Sequence, residues 1–272
     1  MLPKISIVTV AYNCKNIIEK TIKSVVSQTY ENTEYLIIDG KSSDGTIDVI
    51  EKYRANIDFF VTEKDNGIYD AMNKGIAAAT GDWIIFMNAG DFFASNEVLS
   101  IVSQRLGSDS IVVYGDIIKQ CRGYYYFDKP AGIEKICTKM PVFHQATFVR
   151  LDYHKQHPFN TSFRSSGDYD FFYRSYFIDH CKFYYIPLTI ACFDNTEGIS
   201  KDRRGLSLKE DLRIWGKERD LVYRLKLFAK MRTFYFVKWF KQRVLGEQWS
   251  VTHEKNRLLQ EGKLLEDGCY LV

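Results

Sequence analysis

Residues 84–93 read IIFMNAGDFF: an apolar run passes straight into Asn88-Ala89-Gly90-Asp91 and returns at once to aromatics. A strand-length apolar run bounded by turn residues is the pattern of a strand covered on both faces. The same pattern recurs along the first part of the chain in ISIVTVAY (5–12), EYLIID (34–39), IDFFVT (57–62) and SIVVYG (110–115), all rich in β-branched and aromatic residues. Helical stripes lie between these runs. Ile17, Ile18, Ile22, Val25 and Val26 share one face of the first, and Ile68, Ala71, Met72, Gly75, Ile76 and Ala79 one face of the third. A shorter second helix opens at SSDGT (42–46), where Asp44 or Thr46 can cap it, with Ile47, Ile50 and Tyr53 inward. Strands alternating with helices predict an α/β fold: an open, mostly parallel twisted sheet with helices on both faces.

In such a sheet ligands bind beyond the carboxyl ends of the strands. Tyr12 and Asn13 follow the first strand, Asp39, Gly40, Ser42 and Asp44 the second, Glu63 and Asp65 the third, and Asn88 and Asp91 the fourth. Each alone is an ordinary turn residue. Together they converge on one edge, which is the expected site.

Composition limits what that site can serve. The chain has 272 residues, 46% of them hydrophobic, enough to fill a real core. Its net charge of +3 gives no reason to expect a nucleic-acid partner. Cys14, Cys121, Cys137, Cys181, Cys192 and Cys269 form no C-x-x-C pair, which fits free thiols in a reducing, cytoplasmic compartment. No run of about 20 apolar residues suggests a membrane span, and the start of the chain has no signal-peptide pattern.

Neither a G-x-G-x-x-G after the first strand nor a G-x-x-x-x-G-K-[ST] is present, which weakens dehydrogenase and P-loop readings. The strand ends offer acid instead. Mg²⁺ or Mn²⁺ needs only one or two protein carboxylates when substrate phosphates supply other ligands, so Asp91 suits a cation on a diphosphate.

Four segments in order, ISIVTVAYNCKNIIEKTIKSVVSQTYENTEYLIIDGKSSDGT (5–46), EKDNGIYDAMNKGIAAATGDWIIFMNAGD (63–91), HQATFVR (144–150) and SSGDYDFFYR (165–174), resemble the family 2 nucleotide-sugar glycosyltransferases of GT-A fold, of the bacterial surface-polysaccharide type. The resemblance covers roughly residues 4–200. It implies inverting transfer of a sugar from a nucleoside-diphosphate donor, a UDP-sugar favoured, to a hydroxyl of a glycan or lipid-linked glycan acceptor. By the same resemblance Thr9, Tyr12 and Asn13 line the nucleoside and Asp39 pairs with the base. Asp65 closes the donor pocket, and Asn73 lies near the sugar. Lys74 is read as a solvated helix charge. Asn88-Ala89-Gly90-Asp91 takes the place of the family's metal-binding D-x-D, with Asn88 and Gly90 replacing carboxylates and Asp91 left to hold Mg²⁺ or Mn²⁺. Asp168 matches the catalytic base, while Asp170 is expected to pair with Arg174 four residues on. His144, which with Gln145 begins a predicted strand, is expected to contact the acceptor side. In FDNTEGIS (193–200), Gly198 and Ser200 resemble a loop over the donor phosphates.

The expected organisation is a glycosyltransferase domain over 1–205, its donor half about 1–115 and its acceptor half about 116–205, followed by a basic amphipathic helical extension over 206–272. Within 219–243, Arg219, Arg224, Lys226, Lys230, Arg232, Lys238, Lys241 and Arg243 stand against the single acid Asp220, interleaved with Leu, Phe, Tyr and Trp. Such a helix can lie in the headgroup layer of an anionic membrane, here the inner face of the plasma membrane. Two other readings remain: a sugar nucleotidyltransferase, which releases diphosphate, and a non-catalytic membrane-surface or glycan-binding module on the same scaffold.

Overall fold

The computed structural model describes residues 2–107, 109–121, 124–194, 204–240, 243–244 and 246–265. In chain order the first part is β1 (Ile5–Ala11), α1 (Ile18–Val26), β2 (Thr33–Asp39), α2 (Thr46–Glu51), β3 (Phe59–Thr62), α3 (Ile68–Ala78) and β4 (Trp83–Phe86). There follow β5 (Phe92–Phe93), α4 (Val98–Ser103), β6 (Val112–Cys121), β7 (Tyr124–Asp128), β8 (Thr147–Arg150), α5 (Leu151–Gln156), α6 (Gly167–Phe177) and β9 (Phe183–Asp194). The C-terminal part is α7 (Arg204–Ile214), α8 (Leu221–Phe240), α9 (Gly246–Gln260) and β10 (Leu264–Leu265).

The parallel block expected from the sequence is β3-β2-β1-β4, with Ala11 level with Asp39 and Asp39 with Thr62, so the strand ends form one edge. Beyond β4 the sheet is mixed: β8 runs antiparallel to β4, and β6 antiparallel to β8. Strand β9 runs parallel to β6 through a register shift between Tyr114 and Ile117, and also pairs antiparallel with β5. Strand β5 follows Asp91 directly, so its pairing with β9 fixes the far side of the turn that carries Asp91.

Alternation along the strands fills both faces. Ile5, Ile7, Ile37 and Ile85 pack with Ile18, Ile22 and Val25 of α1, whereas Val8, Val10, Ile38, Ile84 and Phe86 pack with Met72 and Ile76 of α3. Each such aliphatic side chain contributes about 1.5–3 kcal/mol when fully buried. Helix α3 can approach β1 closely only because residue 75 is glycine: a Cβ there would stand 2.5 Å from Val8 Cγ1. Helix α2 begins after the left-handed Gly45 and turns Thr46, Val49 and Ile50 inward, leaving Ile47 half-buried; Asp44 caps it by accepting from the Thr46 N–H at 3.0 Å and Oγ1 at 2.6 Å. His144 and Gln145 lie in a 3₁₀ turn, and the strand expected there starts only at Thr147.

The extension is helical and returns to the sheet, where β10 pairs with β7 and Leu258 of α9 packs with Cys121 and Tyr124. Among the described residues no helix is long and apolar enough to cross a membrane, and Cys14, Cys121, Cys137, Cys181 and Cys192 are free. Cys269, Gly198 and Ser200 lie outside the described residues.

Candidate active site

The loops after β1 and β2 are stitched together before any ligand enters. Asn13, at φ +46°, donates its N–H to Ser42 Oγ at 2.8 Å and accepts the Ser43 N–H on Oδ1 at 2.9 Å. The Cys14 N–H donates to Thr46 Oγ1 at 2.8 Å. Tyr12 is left with its ring 67% exposed. Gly40 lies between that ring and Asp65, since a Cβ there would stand 3.2 Å from Tyr12 Cδ2 and 2.9 Å from Asp65 Oδ2. An exposed aromatic face beside a glycine-lined gap and a carboxylate suits a nucleobase, which can stack on the ring.

Three residues assigned to the donor pocket have other duties here. Thr9 is fully buried and bonds Met87 O at 2.8 Å and Tyr35 OH at 3.0 Å, so it ties β1 to the end of β4. Asp39 is also fully buried; it accepts from Ser42 N–H (2.9 Å), Ser42 Oγ (2.5 Å) and Thr62 Oγ1 (2.7 Å). In this conformation it holds the turn that follows β2, next to Tyr12. Asn73 exchanges two hydrogen bonds of 2.9 Å with the backbone of Phe159, which clamps α3 to the 158–160 loop. Lys74 corrects its reading as a solvated charge: its Nζ lies 2.5 Å from Asp65 Oδ1 and 2.8 Å from Glu63 Oε1. Burial works against its charge, but those two carboxylates hold its pKa above the ordinary lysine value.

At the end of β4 the turn 88–91 closes through the Asp91 N–H to Asn88 O at 2.9 Å, with Gly90 at φ +103° donating its N–H to Thr21 Oγ1 at 2.9 Å. A side chain at position 90 would be strained in that left-handed backbone. Asp91 is buried, with 6% of its surface exposed. Asn88 places Nδ2 3.2 Å from His144 Nε2, and His144 places Nδ1 3.1 Å from Asp168 Oδ2. In the tautomer that satisfies both contacts, His144 donates from Nδ1 to Asp168 and accepts from Asn88 at Nε2. Asp168 Oδ1 also accepts from Tyr69 OH at 3.0 Å and the Tyr169 N–H at 2.9 Å. Burial alone raises a carboxyl pKa, yet the His144 bond and charge together with the Tyr69 hydroxyl leave Asp168 below the usual carboxylate range. His144 is the mirror case: burial disfavours its charge, and the bond and charge of Asp168, with the charge of Asp91, bring it above the ordinary histidine value.

These contacts bring together Asn88, His144 and Asp168, from three separated segments, beside Asp91. Asp170 lies outside the chain of contacts and pairs with Arg174 Nε at 2.9 Å. Tyr69, which no motif reading singled out, was invisible for a physical reason: it stands 99 positions from Asp168. Glycine at 167 admits its ring, which a Cβ there would meet at 2.7 Å.

A cation fits this corner in one respect and lacks a preformed cage in another. Asn88 Oδ1 is buried and has no hydrogen-bond partner among the described residues, an arrangement that costs about 1–3 kcal/mol unless a donor or cation completes it. Among the described residues no three His, Cys, Asp or Glu side chains cluster as a metal site. One carboxylate and one amide oxygen suffice for Mg²⁺ or Mn²⁺ only when phosphate oxygens and water supply the remaining ligands.

A parallel 3-2-1-4 block with a mixed, antiparallel extension and a polar cluster at the strand ends is the architecture of the GT-A fold. The glycosyl transferase family 2 profile matches residues 6–172, and the chain belongs to that family. It is a nucleotide-sugar glycosyltransferase. Among its relatives, the PGL/p-HBAD biosynthesis glycosyltransferase of Mycobacterium bovis is 28% identical over 207 residues, covering 73% of this chain and 79% of that protein. An uncharacterized glycosyltransferase of Mycobacterium tuberculosis is 27% identical over 234 residues, covering 79% of this chain and 83% of that one. Among solved structures, S. aureus TarS 1–349 in complex with UDP-GlcNAc superposes with a TM-score of 0.64 at 19% identity, over 94% of this chain and 81% of that one. The mannosyltransferase PcManGT from Pyrobaculum calidifontis, in complex with GDP-Man and Mn²⁺, gives 0.64 at 14% identity, over 80% of this chain and 64% of that one.

Proposed function

We propose that the protein transfers a sugar, with inversion, from a nucleoside-diphosphate donor to a hydroxyl of a glycan or lipid-linked glycan in bacterial surface-glycan synthesis, with a UDP-sugar the favoured donor. The observation that carries this reading is the contact chain Asn88–His144–Asp168 beside Asp91. The nucleoside stacks on Tyr12, with Asn13, Asp39 and Asp65 shaping its slot. Asp91, with Asn88 Oδ1, would hold Mg²⁺ or Mn²⁺, and that ion supplies positive charge to the departing diphosphate.

Asp168 acts as general base through Oδ2, the oxygen that has a single donor among the described residues. As the acceptor oxygen attacks the anomeric carbon, its proton passes to Asp168 and a new C–O bond forms. The bond to the diphosphate breaks on the opposite face, and the nucleoside diphosphate leaves with the electron pair. The hydrogen bond from His144 keeps the carboxylate aimed. Its depressed pKa keeps it ionised at neutral pH and ready to accept.

Support for a membrane-borne acceptor comes from α8. Leu227, Met231 and Phe234 are half-buried, while Leu225 (58%), Phe228 (60%), Phe236 (62%) and Trp239 (56%) are exposed among exposed Arg224, Lys226, Lys230 and Arg232. At 20 residues this helix is about 30 Å long and exposes apolar and basic side chains together, with Arg232 set among the apolar ones, a mixture suited to an anionic lipid surface on the cytoplasmic side.

A panel of nucleotide sugars tests the reaction, with Mg²⁺ or Mn²⁺ and hydroxyl acceptors present. Release of nucleoside diphosphate supports transfer, release of inorganic diphosphate indicates a nucleotidyltransferase, and no turnover of any donor indicates a binding module. For the membrane, co-sedimentation with anionic but not neutral vesicles, weakened by salt and lost in Leu225→Glu/Phe236→Glu, is expected; equal partitioning of parent and variant removes that part.

A further inference from the structure

Asp168 is the second residue of α6, and Ser166, at the N-cap of that helix, makes no side-chain capping bond. The first N–H groups of a helix and the turn before it need partners. Here the turn before the helix finds its partners on the extension. The backbone N–H groups of Arg164, Ser165 and Ser166 all donate to the carboxylate of Glu210 on α7, at 2.8, 2.9 and 2.9 Å. Glu210 is buried, with 8% of its surface exposed. Around it, Ser207 Oγ lies 2.7 Å from Ser165 Oγ, Asp211 Oδ1 accepts Ser166 Oγ at 3.0 Å, and Arg213 donates to Ser162 Oγ at 2.9 Å. Past Asp168, Trp215 Nε1 donates to Tyr169 OH at 2.8 Å, and that hydroxyl donates to Ile136 O at 2.5 Å. Five residues between positions 207 and 215, about two helical turns, therefore grip the backbone and side chains on both sides of Asp168.

We infer that α7 belongs to the catalytic apparatus, with Glu210 a positioning residue that sets the entry of α6 and thereby aims Asp168 at the acceptor. The inference rests on the reading of Asp168 as the base. A buried carboxylate receiving three N–H bonds holds the entry turn of α6 by strong, charge-assisted hydrogen bonds. Glutamine at 210 keeps the size but turns an NH₂ group toward those donors, so the segment must shift. A base displaced by about 1 Å costs on the order of a hundredfold in rate. Nothing in this grip touches Tyr12, Gly40 or Asp65, so the donor should bind as before.

The test uses the full chain and a double-mutant cycle. Glu210→Gln is expected to lower kcat roughly tenfold to a hundredfold at unchanged donor KM and unchanged stabilisation by UDP, with Glu210→Asp recovering part of the loss. In an Asp168→Asn background the same substitution should cost almost nothing further, because the group it positions is gone. Parent kcat in Glu210→Gln overturns the inference, as does a loss that adds in full to that of Asp168→Asn, or one shared equally by KM. Full activity in Asp168→Asn alone overturns instead the reading of the base. Should Glu210→Gln not fold, Trp215→Phe, which removes one hydrogen bond and keeps a ring, is expected to reduce kcat several-fold with KM unchanged; no change in kcat there overturns the inference equally.

Discussion

Glu34 and Asp168 are both largely buried carboxylates at the edges of one sheet, and they lie at opposite ends of it. At the edge where strands begin, Glu34 accepts from Lys4 Nζ (2.9 Å), Ser6 Oγ (2.5 Å), Thr80 N–H and Oγ1 (both 2.5 Å) and Gly81 N–H (3.0 Å). Burial opposes its charge, but the donors from Lys4, Ser6 and Thr80 bring its pKa down to about 2. It has a donor for every lone pair and joins β2 to β1 and to the turn before β4. At the edge where strands end, among the described residues, Asp168 Oδ2 has one donor, Asn88 Oδ1 has none, and Tyr12 stands open. A carboxylate saturated by its own chain holds structure, whereas one with capacity left over is available to a substrate.

That contrast can be broken by substitution. A large effect is expected from Asp91→Ala, which should lower transfer about 10²–10³-fold and abolish the response to added Mn²⁺, by analogy with removing one group that stabilises transition-state charge. Turnover measured across a metal titration checks it; a parent rate, or a parent enzyme indifferent to chelator, places the cation elsewhere. Glu34→Gln should do the reverse, weakening the fold while leaving kcat alone. A pKa lowered from 4.5 to about 2 corresponds to roughly 3 kcal/mol at neutral pH. Because the folded value is the lower one, this stabilisation is present above pH 4.5 and is lost as the pH falls from there toward 2. Denaturant melts at several pH values should show the parent losing that increment over this window and the variant lacking it throughout. The smallest effect is expected from Tyr12→Ala: a stacked base is worth about 1–3 kcal/mol, so donor KM should rise roughly tenfold at nearly constant kcat. An unchanged KM would mean that the base lies away from this ring.

The parallel block was legible because its central strands are buried throughout: WIIF at all four positions, and ISIVTVA at all seven. The edge that gathers polar groups followed from the same reading, since Tyr12, Asp65, Asn88 and Asp91 each stand just past a strand. What those groups do to one another was not legible. Asp39 and Thr9 look like ligands in a motif but are buried by hydrogen bonds to Ser42, Thr62 and Met87, which lie on other turns or strands. Lys74 looks like a solvated helix charge until β3 brings Glu63 beside it. The pairing of β9 with β5, and the grip of α7 on residues 162–169, depend on contacts between distant segments that carry no local period. Amphipathicity of α8 was visible, while which face turns inward was decided by the helices it packs against.

The central claim, that the strand-end edge binds a donor and that Asp168 then accepts the acceptor's proton, is tested most directly by Asp168→Asn. Its UDP affinity, read from thermal stabilisation, should match the parent, while kcat for transfer falls about 10²–10⁴-fold because an amide keeps the shape but accepts no proton. Parent-level transfer by Asp168→Asn, or the loss appearing in Asp170→Asn instead, would contradict the account.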